Sequence, residues 1–87
     1  MELDEFMGAA DALIDQFAPR IDQQQAKLIR RAAYAGEWRE AIDVLVATLV
    51  ERQDPVSPGE RDELLRLLAY MKEPAERIDG LAVSTEG

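Results

Sequence analysis

The sequence predicts an all-α fold, a compact single-domain bundle of four main helices whose neighbours run mostly antiparallel. Three observations carry that expectation. Apolar residues recur at steps of three and four along most of the 87-residue chain. Prolines, a glycine and a serine stand where helices should start and stop. No segment shows the strict alternation of a half-buried strand. At this length one core is expected, so residues 1–87 are read as one domain.

The first helix carries Leu3, Phe6, Met7, Ala10, Leu13, Ile14 and Phe17 as one apolar stripe. Glu2, Asp4, Glu5, Asp11 and Asp15 fill the opposite face. Pro19 closes it, because the residue before a proline is pushed away from helical geometry. A second helix is expected to open within 19–22 and to run to position 35, burying Ile21, Leu28, Ile29 and Ala32. Gly36 is its natural stop.

The third helix, over about 37–52, buries Ala41, Ile42, Leu45, Val46 and Leu49, while Val44, Ala47 and Val50 extend its apolar character around a second side. A helix of that kind is usually central, or is covered twice. Ser57 then caps a fourth helix, with Pro58 at its first position and Glu60 completing a capping box. Leu64, Leu65, Leu67, Leu68 and Met71 face inward before Pro74 ends or redirects the chain. "AERIDG" adds one short turn, and the tail over about 80–87 is expected to fray.

Composition narrows function before any motif does. Eighteen acidic residues against ten basic give a net charge of −8. That balance disfavours DNA, RNA and anionic membrane surfaces, whose affinity comes from Lys and Arg on phosphates. A basic protein partner is favoured, because opposite fields speed encounter. Acidity that only keeps a small domain soluble is the plainer account. The absence of cysteine fits a reducing compartment, the acidic start lacks a secretory pattern, and no apolar run approaches a membrane span. A cytoplasmic, soluble protein is expected.

Catalytic chemistry has few carriers. There is no His and no Cys, and Ser57, Ser84, Thr48 and Thr85 have no imidazole to activate them. Ser57 is explained as a cap. Glu37, Glu40 and Asp43 fall at steps of three, and Glu60, Asp62 and Glu63 crowd one helix start. Neither group matches a magnesium or calcium loop, and first-turn acids are expected beside a helix dipole. No enzyme activity, cofactor or metal is expected. Lys27, Arg30, Arg31 and Arg39 read as a solvated face rather than a nucleic-acid patch. Tyr34 and Trp38 flank Gly36, where they either seal the core edge or anchor an interface.

"AYAGEWREAIDVLVATL" resembles part of a tetratricopeptide repeat through Ala33, Tyr34, Gly36, Trp38 and the Ala41-Ile42 step, with Pro55 near a closing position. One repeat is visible and no second copy follows, so the reading is a helical hairpin and not a solenoid. An acidic helical domain of this size is also similar to acyl carrier proteins, but Ser57 lies in Val-Ser-Pro and not in their Asp-Ser-Leu-type motif.

Residues 35–71 resemble the MafI-like small helical immunity proteins of bacterial polymorphic toxin systems. The elements are "GEWREAIDVLVATL", the loop "VERQDPVSPGE" and the last helix "RDELLRLLAYM". The resemblance implies a non-enzymatic cytoplasmic protein that blocks one cognate toxin domain, often a basic nuclease. It carries over no residue roles. From charge alone the partner-binding rim is placed at Glu51, Asp54, Glu60, Asp62 and Glu63, supplemented by Glu40 and Asp43. Two alternatives stand beside it. One is an adaptor that forms a homodimer through Val44, Ala47 and Val50, and the other is an acidic nucleic-acid mimic.

Overall fold

The apolar stripe that opens the chain folds as α1 (Leu3–Phe17), which buries Phe6, Ala10, Leu13, Ile14 and Phe17. The structure is a computed structural model that describes residues 1–84. Asp4 and Glu5 sit in the first turn of α1, where the helix dipole favours negative charge. Leu3 does not join the stripe and stays 56% exposed. Pro19 does not end the helix abruptly. The chain tightens into a 3₁₀ turn, Ala18–Arg20, that accepts the proline early and swings toward α2 (Gln23–Tyr34).

Asp22 caps α2, its carboxylate accepting from the amides of Gln24 and Gln25 at 3.1 and 3.4 Å. Within the helix only Ile29 is buried. Leu28, expected inside, is 50% exposed. Neighbouring residues on a helix point about 100° apart, and a helix that turns so narrow a face to the core cannot bury both. Gly36 then ends α2 with a φ of 82°. Its amide donates to the Ala33 carbonyl and the Glu37 amide reaches the Ala32 carbonyl, the paired bonds of a Schellman stop.

α3 (Trp38–Arg52) is the central helix, with Ala41, Ile42, Leu45, Val46 and Leu49 buried. Its second apolar side is only partly covered: Val50 is half-buried, and Ala47 is exposed. Thr48 is buried because its hydroxyl donates to the Val44 carbonyl at 2.7 Å. α3 ends at Gln53 in the left-handed region, φ 56°, whose side-chain amide donates to the carbonyls of Val50 and Gly80.

α4 (Pro58–Tyr70) starts on the expected capping box. Ser57 Oγ accepts from the Glu60 amide at 3.1 Å, and Glu60 Oε1 accepts from the Ser57 amide at 2.9 Å. Leu64, Leu67, Leu68 and Met71 are buried, while Leu65 is half-buried. The helix stops as α2 does, with Glu73 and Lys72 amides donating to Leu68 and Ala69, although the left-handed position is held by Lys72, φ 59°.

α2 packs most closely on α3, and α4 packs on α1. The radius of gyration, 11.9 Å, matches the roughly 12 Å expected of one compact domain of this length. The frayed tail needs correction. After a 3₁₀ turn, Ala75–Ile78, Leu81 is buried and Val83 forms a parallel bridge with Val56. The Val56 amide donates to the Ala82 carbonyl at 2.9 Å, and the Ser84 amide donates to Val56 at 2.8 Å. Apolar burial at Leu81 and these paired bonds fasten positions 81–84 over the α3–α4 loop. Positions 85–87 of the same tail lie outside the described residues.

Candidate partner-binding surface

The carboxylates proposed for a partner separate into distinct environments. Glu60 leaves the rim altogether. It is 7% exposed, and its oxygens accept from Arg20, from the Gln16 side-chain amide and from the Ser57 amide. A capping-box glutamate must fold back on its own helix start, so it cannot also reach outward. The Arg20 guanidinium, foremost, holds its carboxyl below the usual glutamate range, against the opposing effect of burial.

Arg20 is the residue that sequence reasoning missed. It stacks 4.5 Å over the Phe17 ring, donates to both Glu60 oxygens and donates to the Pro55 carbonyl at 3.0 Å. It thereby ties the end of α1 to the α3–α4 loop. The Phe17–Arg20 spacing was visible, but nothing local pointed to an acid 40 residues away.

Asp43 is also engaged internally, accepting from Arg77 and so pinning the 3₁₀ turn Ala75–Ile78 against α3. Glu63 pairs with Arg66 on the same helix. Asp54 lies 3.1 Å from the Arg52 guanidinium, but the approach lacks hydrogen-bond geometry, and Asp54 Oδ2 is enclosed without a hydrogen bond. Glu51 and Asp62 are exposed, and no ion pair engages either among the described residues.

Glu51, Asp54, Asp62 and Glu63 remain as an acidic corner of the chain only in the sense that they follow one another along the end of α3, the loop after it and the first turns of α4. Arg20 holds its loop from one side, and the tail holds Val56 from the other. Glu40 lies elsewhere, near the start of α3, beside Glu37. A hydrogen bond with Glu37, then its charge, pushes the Glu40 carboxyl above its ordinary value.

Glu37 and Glu40 edge a groove of about 410 Å³ between α2 and α3, floored by Leu28, Ala32, Ala35 and Val44 with Arg31 beside them. The aromatic pair divides. Trp38 packs half-buried against the core, whereas Tyr34 is 96% exposed. Among the described residues no group of three or more His, Cys, Asp or Glu is gathered to hold a metal. No described helix is long and apolar enough to cross a membrane. Comparison with protein-family models, with curated proteins and with solved structures gave no match.

Proposed function

We propose that this chain is a non-enzymatic, immunity-type inhibitor that presents the acidic corner of Glu51, Asp54, Asp62 and Glu63 to a basic partner domain and occludes its active site. The observation that carries the reading is the fastening of that corner from both sides. A charged loop already ordered by Arg20 and by the tail loses little freedom when a partner binds. The net charge of −8 and the resemblance over residues 35–71 point the same way. Glu60 is left out of the proposed interface because it is buried and its oxygens are used internally, and Asp43 because its Oδ1 already holds Arg77 away from that corner.

The test is association with the product of the adjacent reading frame, once it is shown to be toxic when expressed alone, measured with wild type and with a Glu51→Lys/Asp62→Lys variant. Charge reversal is expected to slow association roughly tenfold or more at low salt, with a smaller effect at about 150 mM where surface fields are screened. Unchanged association would place the interface on another face. No binding by the wild-type chain would remove the immunity reading itself.

A further inference from the structure

α2 buries a single residue within its helix, Ile29, yet carries a second stripe that the core covers only in part, through Ala32. Leu28, Arg31, Ala32 and Ala35 follow one another at steps of three, one and three, so they share a helix face. That face and Val44 of α3 line the α2–α3 groove. Half of Leu28 stays in water there, a cost that a second apolar surface would remove.

The charges at the groove are complementary but unspent. Arg31 is exposed on the α2 side, and Glu37 and Glu40 are exposed on the α3 side. None of the ion pairs among the described residues engages these three. Instead the two glutamates crowd each other, which raises the Glu40 carboxyl. One side of the groove lacks an anion and the other lacks a cation, and Leu28, Ala32 and Val44 lie between them.

We propose that the α2–α3 face is a two-fold interface between two copies of this chain, Arg31 of each copy pairing with Glu37 and Glu40 of the other. A two-fold axis running along the groove lays α2 of one copy on α3 of its partner, with both Gly36 turns at the same end. Arg31 then faces the partner's carboxylates at both symmetric positions, and Leu28 meets the partner's Val44. The helices of 12 and 15 residues offer a face about 20 Å on each side, roughly 800 Å² buried in total, the size of a weak and reversible contact. The dimer uses a different part of the surface from the acidic corner, so it stands apart from the immunity reading.

Sedimentation equilibrium from about 1 µM to about 1 mM tests this, at about 150 mM salt so that repulsion between two acidic copies is screened. The wild-type chain should dimerise weakly, with a dissociation constant of roughly 100 µM that falls inside this range. Arg31→Glu sets like charges opposite Glu37 and Glu40, and Glu40→Arg sets a cation opposite Arg31. Each variant should weaken dimerisation at least about tenfold. Mixed in equal amounts, the two variants regain opposite charges at both symmetric positions and should form a heterodimer. Both substituted positions are exposed, and circular dichroism confirms that each variant folds. A wild-type chain that stays monomeric throughout overturns the proposal. So does a dimer indifferent to both substitutions, and so does a mixture that restores nothing.

Discussion

Arg20 Nη1 lies 2.7 Å from Glu60 Oε2 and Arg20 Nη2 lies 3.2 Å from Glu60 Oε1, a two-pronged ion pair between residues 40 apart in the chain. The carboxylate is nearly enclosed, whereas the guanidinium keeps contact with water and rests on Phe17. Such a pair is costly to form and costlier to break, because the buried partner cannot recover its hydration when left alone.

Arg20→Met should therefore destabilise the fold by about 2–4 kcal/mol, leaving Glu60 with only Gln16 and the Ser57 amide. Glu60→Gln, which keeps hydrogen bonding but removes the charge, should cost less, about 1–2 kcal/mol. In urea unfolding the double variant should lose less than the sum of the two, with a coupling of roughly 1 kcal/mol or more. Strict additivity would mean that the two groups contribute independently.

The same contact sets an acid response. Arg20 holds the folded-state Glu60 carboxyl below its unfolded value, so the folded chain binds that proton more weakly. The stabilisation is complete above the unfolded pKa of about 4.3 and is lost as pH falls toward the lower folded value. Stability measured between about pH 6 and pH 3 should decline, and Glu60→Gln should flatten part of that decline. Glu40 works in the opposite sense, since protonation there relieves its crowding with Glu37.

Gly36 and Lys72 occupy equivalent left-handed positions in two Schellman stops, at φ 82° and φ 59°. A side chain at Gly36 would meet no atom within 4 Å, so strain alone opposes Gly36→Ala, at about 1 kcal/mol. Lys72→Gly should move the other way, raising stability by about 0.5–1 kcal/mol as the left-handed strain disappears. Thermal melts of both variants check the pair, and a loss at Lys72→Gly would show that the lysine stem contributes more than its backbone costs.

Truncation after Gly80 should cost about 2–4 kcal/mol, from the removal of the buried Leu81 side chain and the loss of two bonds to Val56. Hydrogen exchange at the Val56 amide should quicken in the truncated chain. A tail that contributed nothing would leave both stability and exchange unchanged.

Boundaries and core residues were legible because their causes are local. Ser57, Pro58 and Glu60 spell a helix start within four positions, and Gly36 marks a stop by its freedom of φ. The acidic rim was much less legible, because charge count says nothing of which charges are already engaged. Glu63 with Arg66 could be read from helix spacing, but Asp43 meets Arg77 across 34 residues and Glu60 meets Arg20 across 40. The tail was hidden for the same reason, since its partner Val56 lies in a distant loop. Leu28 was misplaced because periodicity identifies an apolar face without saying whether the chain itself covers it.

The Arg20–Glu60 contact also bears on the order in which the chain assembles. Helices α2 and α3 are joined by a single tight stop at Gly36, and their meeting closes only a short loop. Joining Arg20 to Glu60 must close a loop spanning both of those helices, which costs more chain entropy and waits until they are in place. The hairpin is thus a natural nucleus, and the ion pair acts as a late latch whose strength governs the rate of unfolding more than the rate of folding.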